Sequence, residues 1–255
     1  MVFTLDIGNT NIKTALFEGR EMKHYFRIST NRMQTSDEYG ILLMNLFAHA
    51  GASVRDVEGI IFSSVVPSMN FTIEHMCRNY FKMEPMQVAP GIRTGINIKY
   101  ENPRELGSDR IANAVAAYEY YGGPCIFIDF GTATAFGVIN AKGEFLGGAI
   151  CPGLQLSSEA LTERAAQLPK IELVKPPSVI ARNTVQNMQA GIVYGYVGQV
   201  EYIVSRMRRE IGDKKARVIA TGGMGHLIAS ETEVIETVDG ELTLKGLRLL
   251  YERNR

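Results

Sequence analysis

The chain contains the stretch FTLDIGNTNIKTALFEG at residues 3–19 and the similar stretch IFIDFGTATAFGVINAKG at residues 126–143. In each stretch an apolar run ends in D-x-G, a turn containing threonine follows, and a second apolar run returns to a glycine. Asp6 aligns with Asp129, nearly half of the 255-residue chain away. Two unrelated hairpins are the alternative, because D-x-G turns are common. Since strand, turn and return all correspond, we interpret the stretches as copies of one structural unit.

The first half of the chain shows the periodicities of alternating strands and helices. Apolar and β-branched runs at residues 2–7, 11–17 and 21–29 predict a three-strand meander. The amphipathic segment at residues 36–50 predicts a helix, and the apolar run at residues 57–66 predicts a buried strand.

The second half repeats this order. We expect Ser108 to be the N-cap of a helix that reaches about Tyr121, before the strand that leads to Asp129. A long helix at residues 184–211 and a strand at 216–221 follow. Strands joined by helical crossovers pair in parallel, so the predicted fold class is α/β in two halves.

The chain length suits two domains better than one. We expect the first domain, with a phosphate loop, to cover residues 1–121. The second domain covers residues 122–255 and includes a dimerisation helix, and the last helix of the chain is able to pack back on the first domain.

The composition excludes several classes of function. The chain has 27 basic and 27 acidic residues, which disfavours binding to nucleic acid or an anionic membrane through a diffuse positive surface. The three cysteines and four histidines show neither a disulfide framework nor metal-ligand spacing. No segment resembles a signal peptide or a membrane span. We therefore expect a soluble cytoplasmic protein.

The turn after Asp6 has the chemistry of a phosphate-binding loop. A glycine-rich turn lets backbone N–H groups approach a phosphate closely, and Lys13 adds a positive charge nearby. Asp6 would pair with a hydrated Mg²⁺ that accompanies a nucleotide, and a turn-capping aspartate is the alternative. The chain has neither a P-loop nor a G-x-G-x-x-G motif. Two facing D-x-G turns would hold a polyphosphate between them.

A set of motifs occurs in a characteristic order along the chain. The motifs are DIGNTN at 6–11, PGIRTG at 90–95, GSDR at 107–110, IDFGTAT at 128–134, GGAICPG at 147–153 and TGG at 221–223. The paired D-x-G hairpins resemble the actin, hexokinase and heat-shock chaperone superfamily of phosphotransferases. The ordered set is similar to one family within it, type III pantothenate kinase, which is related to the Bvg accessory factor.

The resemblance implies two ribonuclease H-like halves of the actin and hexokinase type, each a mixed sheet flanked by helices. It implies a homodimer that transfers phosphate from ATP to the primary hydroxyl of pantothenate, the first committed step toward coenzyme A. Mg²⁺ and a monovalent cation, K⁺ or NH₄⁺, are the implied cofactors.

The resemblance also assigns roles to individual positions. Those matching the ATP phosphate loop are Asp6, Ile7, Gly8, Asn9, Thr10, Asn11, Ile12 and Lys13, with Thr132 as a second ATP contact. Those matching the pantothenate site are Gly107, Ser108, Asp109 and Arg110, with Tyr100 and Thr184 as further substrate contacts. Asp109 takes the position of the general base, Asp129 that of the monovalent-cation ligand, and Asp6 holds Mg²⁺ through ATP. Ser108 departs from the family, which more often has alanine there.

Asp109 is compatible with this role on chemical grounds. It lies in the first turn of a predicted helix, where the dipole favours any aspartate. We expect the helix end to keep its pKa low. Phosphoryl transfer needs mainly positioning and charge neutralisation, so Asp109 would orient the hydroxyl and accept its proton late. Arg110 either pairs with the substrate carboxylate or forms a structural ion pair.

Other interpretations remain open from the sequence. Small residues along the 184–211 helix indicate either close packing within the monomer or a dimer contact that brings Thr184 near the other subunit's site. A non-catalytic nucleotide-binding regulator is the alternative function. A kinase for another small alcohol is the third possibility.

Overall fold

The computed structural model describes residues 1–255, and the chain divides into two compact units. The first unit comprises residues 1–96, 101–116 and 242–255, and the second comprises residues 97–100 and 117–241. None of the helices is both long enough and apolar enough to cross a membrane.

Eleven strands and seven α-helices make up the two units. The strands are β1 (Val2–Ile7), β2 (Asn11–Glu18), β3 (Glu21–Ser29), β4 (Gly59–Ser64), β5 (Met86–Gln87), β6 (Asn97–Ile98), β7 (Cys125–Phe130), β8 (Ala133–Ile139), β9 (Glu144–Pro152), β10 (Arg217–Gly222) and β11 (Thr237–Val238). The helices are α1 (Ser36–His49), α2 (Pro67–Met76), α3 (Ser108–Tyr121), α4 (Leu154–Arg164), α5 (Thr184–Glu210), α6 (Gly225–Ala229) and α7 (Leu242–Asn254).

The sheet of the first unit has the strand order β3-β2-β1-β4-β5. Strands β1, β2 and β3 form an antiparallel meander, and β4 and β5 continue the sheet in parallel with β1. One face is apolar, and its core includes Phe3 and Leu5 with residues of α1 and α2. The other face carries α7, because Gly59 lies against the Tyr251 ring and Phe17 lies beneath Arg248.

The sheet of the second unit has the strand order β11-β10-β7-β8-β9-β6. Apart from the added β6, this is the order of the first sheet, with β7, β8 and β9 as the meander and β10 and β11 parallel to β7. The apolar core lies on the face of β7 that carries Ile126 and Ile128, together with residues of α5. The structure confirms the α/β fold class and the duplicated unit.

The position of the aspartate repeats as well as the strand order. Asp6 pairs with Lys13 on β2 and with Ser63 on β4. Asp129 pairs with Ala135 on β8 and with Thr221 on β10. In both units the aspartate therefore lies one residue before the end of the central strand, on the face opposite the apolar core.

The structure differs from the predicted elements at the start of α3. Gly107 accepts the first helical hydrogen bond, from the backbone N–H of Ile111 at 3.1 Å, so the N-cap is Gly107. Ser108 is the first residue of the helix, and its hydroxyl bonds to the backbone of Ser64 instead of capping. The prediction of Ser108 as the N-cap was wrong, because a tertiary partner takes its hydroxyl.

The compact units differ from the expected domains, which met at a single boundary after residue 121. Helix α7 belongs to the first unit because it packs against β1, β2 and β4. Residues 97–100 belong to the second unit because β6 pairs with β9. Residues 117–121, the end of α3, also belong to the second unit.

Candidate functional site

The turn after β1 is tight and open to solvent. The backbone N–H of Gly8 donates to the carbonyl oxygen of Asn11 at 3.0 Å, and a Cβ at Gly8 would lie 3.0 Å from that oxygen. Thr30, directly after β3, holds the loop, because its hydroxyl donates to the carbonyl of Gly8 at 2.6 Å. Asn9 and Thr10 at the tip are exposed. A fixed backbone with exposed polar groups suits a loop that binds phosphate.

Lys13 and Asp6 lie on one face of the sheet beside this loop, because directly paired residues share a face. Both side chains are partly exposed, whereas the preceding Leu5 and the neighbouring Ile12 are buried. Ile7 is also buried, so within the predicted ATP loop Ile7 and Ile12 act as core residues. In the predicted ATP site, Ile7 and Ile12 would therefore contribute backbone atoms and not side chains.

Asp6 has a hydrogen-bond donor that the sequence analysis did not identify. The hydroxyl of Ser63, on β4, donates to Oδ1 of Asp6 at 2.8 Å. Ser63 is fully buried, so its hydroxyl is aimed at the carboxylate from within the sheet. A partly exposed carboxylate oriented by a hydroxyl is a suitable partner for a hydrated Mg²⁺, which binds few protein ligands and keeps several waters. The residues present therefore fit the magnesium that ATP brings.

Asp109 belongs to the same unit and lies in the first turn of α3. Its Oδ1 accepts a hydrogen bond from the backbone N–H of Arg110 at 2.8 Å. A Cβ at Gly107 would lie 2.5 Å from Oδ1, so only glycine allows the carboxylate to fold back in this way. The side chain remains partly exposed.

The pKa of Asp109 differs from the expectation. Burial raises the pKa of Asp109 above its usual value, although the backbone N–H of Arg110 and the charges of Arg110 and Lys13 lower it. The prediction of a low pKa was wrong, because desolvation outweighs the helix end and the nearby charges. A carboxylate with a raised pKa is a better proton acceptor.

Arg110 and Ser108 flank Asp109 and are less accessible than expected for substrate contacts. The Arg110 side chain is only 7% exposed. The Ser108 hydroxyl accepts from the backbone N–H of Ser64 at 3.0 Å and donates to its carbonyl oxygen at 3.1 Å. The structure thus brings Asp6, Lys13 and Asp109 into one unit, next to the end of β4.

The second unit has an oxygen-rich turn around Asp129. Gly222, with φ of +88°, lies so close that a Cβ would be 2.7 Å from Oδ1 of Asp129. The backbone N–H of Gly153 donates to the carbonyl oxygen of Thr132 at 3.1 Å, and a Cβ at Gly153 would collide with the carbonyl oxygens of Gly131 and Thr132. Glycines are therefore required where three chain segments meet.

Carboxylate and carbonyl oxygens are hard donors that suit K⁺. The Asp129 turn offers both, so its residues fit a monovalent cation. No group of three or more His, Cys, Asp and Glu side chains could hold a metal ion by themselves. A cation here would therefore depend on backbone oxygens beside the single carboxylate.

The two remaining predicted substrate contacts also lie in the second unit. Tyr100 is partly exposed and stacks on Phe145, with ring centroids 6.4 Å apart. Thr184 is exposed in the first turn of α5, directly after the N-cap Asn183.

Comparisons with known proteins identify the family and the fold. A family model described as type III pantothenate kinase matches residues 2–206. A crystal structure from Campylobacter jejuni, named as a Baf family transcriptional activator, is similar with a TM-score of 0.63 at 18% identity, covering 99% of this chain and 98% of that one.

Two sugar kinases of the ROK family share the fold at lower similarity. The hexokinase from Thermus thermophilus has a TM-score of 0.54 at 14% identity, covering 98% of this chain and 97% of that one. The glucokinase from Streptomyces griseus, solved with glucose and AMPPNP, has a TM-score of 0.51 at 15% identity, covering 98% and 99%. At these identities the likeness shows the fold alone.

Proposed function

The chain belongs to the type III pantothenate kinase family, and from this premise we propose that it phosphorylates the primary hydroxyl of pantothenate with ATP. The product would be 4′-phosphopantothenate, on the route to coenzyme A. We propose further that the enzyme works as a homodimer in the cytoplasm, without nucleic acid or membrane partners. Family membership supports phosphoryl transfer in general. Pantothenate as the acceptor is the more specific part of the proposal.

The observation that carries the proposal is the Asp109 carboxylate in the same unit as the phosphate loop. It is partly exposed, it is oriented through Oδ1, and its pKa is raised by burial. A general base needs access to its substrate and a pKa closer to neutral than that of a free aspartate. A turn-capping aspartate alone would need neither.

The chemistry at this site would run as an in-line displacement. Asp109 orients the acceptor hydroxyl toward the γ-phosphorus and receives its proton as the new O–P bond forms. The bond between the γ-phosphorus and the bridging oxygen breaks, and ADP leaves with that oxygen. The Gly8–Asn11 backbone and Lys13 hold the phosphates so that little motion is needed at the moment of transfer.

The cations would support this step by charge. Asp6 would hold the hydrated Mg²⁺ that ATP brings, and this ion would supply positive charge next to the phosphate oxygens. The hydroxyl of Ser63 keeps the Asp6 carboxylate in one orientation for that purpose. Asp129 and the carbonyls of its turn support the proposal of a site for K⁺ or NH₄⁺. Thr132 lies in the same turn, which supports the proposal of a second ATP contact there.

A coupled ADP-release assay tests the proposal. Purified protein would be assayed with pantothenate and a panel of sugars and small alcohols, in buffers containing K⁺ or Na⁺. We expect turnover with pantothenate, and more in K⁺ than in Na⁺. Turnover only with another alcohol would contradict pantothenate as the substrate, and equal rates in K⁺ and Na⁺ would contradict the monovalent cation.

A second candidate function is a non-catalytic nucleotide-binding regulator. The name of the Campylobacter jejuni protein, a Baf family transcriptional activator, favours it. A regulator needs to bind nucleotide and needs no base at an acceptor site. ATP binding by wild-type protein without turnover on any alcohol would favour the regulator over the kinase.

A further inference from the structure

Two adjacent serines at the end of β4 bond to two different parts of the candidate site. Ser63 donates its hydroxyl to Asp6 at 2.8 Å, on the strand that leads into the phosphate loop. Ser64 uses its backbone, which pairs with the hydroxyl of Ser108 at the start of α3. The end of β4 therefore joins the strand of the phosphate loop to the helix that carries Asp109.

The Ser108 hydroxyl both accepts and donates a hydrogen bond, and both partners are backbone groups of Ser64. It accepts from the backbone N–H of Ser64 at 3.0 Å and donates its single proton to the carbonyl of Ser64 at 3.1 Å. A serine hydroxyl has one proton to donate, so it has none left for a substrate. Ser108 is therefore poorly suited to contact a substrate through its side chain.

The position of Asp109 depends on this bond. Asp109 follows Ser108 directly, and both lie in the first helical turn, whose N-cap is Gly107. The charge of Lys13 on β2 acts on Asp109, so the first turn of α3 lies near the loop strands. The neighbouring Ser64 is aligned with Ile7, the last residue of β1. A shift of α3 relative to β4 would move Asp109 relative to the phosphate loop.

We propose that Ser108 is a positioning residue that acts through Ser64 and holds the Asp109 carboxylate in place beside the phosphate loop. This inference rests on the proposed kinase function. It gives Ser108 a role other than that of a substrate contact.

The isosteric pair Ser108→Thr and Ser108→Val tests the inference. Both add a methyl group, and only threonine keeps the hydroxyl. Valine leaves the N–H and C=O of Ser64 facing a methyl group, which favours displacement of the helix start. We expect kcat to fall about tenfold in the valine variant relative to the threonine variant. The dissociation constant for ATP should change less than about twofold.

Amide hydrogen exchange at Ser64 reports the bond without any enzyme assay. The Ser64 N–H should exchange slowly in wild type and in Ser108→Thr, and faster in Ser108→Val. Ser53→Ala is the matched control, because Ser53 also bonds a backbone N–H, that of Arg55 at 3.2 Å, and it precedes the opposite end of β4. If the valine variant does not fold, Ser108→Ala replaces it.

Each outcome decides a different point. Faster exchange at Ser64 with equal kcat in the threonine and valine variants would make the bond merely structural and overturn the inference. A raised KM for the acceptor with kcat kept, in both variants, would make Ser108 a substrate contact and also overturn it. No turnover by wild type on any alcohol would instead mark the failure of the proposed function.

Discussion

Asp109 is the residue whose environment changes most between expectation and structure. A helix N-terminus was expected to keep its pKa low, whereas burial raises it. Because the pKa of Asp109 is raised in the folded state, ionisation of this carboxyl group destabilises the folded state. The stability of the wild type therefore falls as the pH rises from about 4, the value in the unfolded chain, through the folded pKa of Asp109. The protein would hold its proposed general base in ionised form at a cost in stability.

Asp109→Asn should separate these two effects. Turnover should collapse because the amide cannot accept the proton, while ATP binding persists. The melting temperature at pH 7 should rise above that of wild type, and the difference should shrink as the pH approaches about 4. Thermal melts across pH and steady-state kinetics measure both.

Asp37→Asn is the control, because Asp37 also lies in the first turn of a helix but is exposed. We expect it to give no stabilisation at pH 7. Near wild-type turnover in Asp109→Asn would refute the assignment of the base. Equal melting temperatures for wild type and Asp109→Asn at every pH would refute the conclusion that the buried, ionised Asp109 destabilises the protein.

At this scale the sequence indicated some partners and could not indicate others. Asp6 and Asp129 stood out because they are the aspartates of the D-x-G turns, and Lys13 because it closely follows the first turn. Ser63 and Ser64 did not, because their role depends on β4 pairing in parallel with β1, which places them beside Asp6. Ser108 was misassigned because a capping preference is local, whereas its actual partner is 44 residues away in the chain.

At the scale of elements, amphipathic and apolar periodicity predicted the long strands and helices within a few residues. The strands β5, β6 and β11 were not delimited, because each has only two residues and shows no period. Helix α7 was predicted as the last helix of the chain, and it was expected to be able to pack back on the first domain. The close approach of Gly246 to the backbone of Ala112 shows that it packs within the first unit.

Gly246→Ala tests this packing. A Cβ at Gly246 would collide with the carbonyl oxygen of Ala112, so α7 would be pushed from α3. Alanine in a helix normally gains up to about 1 kcal/mol over glycine, but a collision with backbone costs more. We expect the free energy of unfolding to fall by about 2 kcal/mol, measured by urea denaturation.

Gly240→Ala is the matched control, since a Cβ there would meet nothing within 4 Å. We expect it to change the free energy of unfolding by less than about 0.5 kcal/mol. Equal effects of the two substitutions would contradict the close packing of α7 on α3.

At the scale of the whole molecule, the chain is two versions of one sheet. The shared strand order and the matching positions of Asp6 and Asp129 explain why similar stretches recur almost half a chain apart. The copies have diverged, because a lysine pairs with the first aspartate and an alanine with the second. This difference agrees with the proposed phosphate role of the first turn and the proposed cation role of the second.

The pairing of residues 97–100 with the second sheet was beyond the sequence, whereas the last helix was expected to be able to pack back on the first domain. Residues 97–100 join the second sheet and residues 242–255 return to the first unit. Composition and periodicity report each segment by itself, and they do not report its pairing. The balanced charge disfavoured binding through a diffuse basic surface. The prediction of a phosphate site and a cation site came instead from the turns that contain Asp6 and Asp129.

The most direct test of the account is to detect the phosphorylated acceptor itself. Wild type and Asp109→Asn would be incubated with ATP, Mg²⁺, K⁺ and pantothenate, and the products would be identified by mass spectrometry. We predict 4′-phosphopantothenate and ADP in equal amounts from wild type, and almost none from Asp109→Asn. ADP without phosphopantothenate from wild type, or equal product from both proteins, would contradict it.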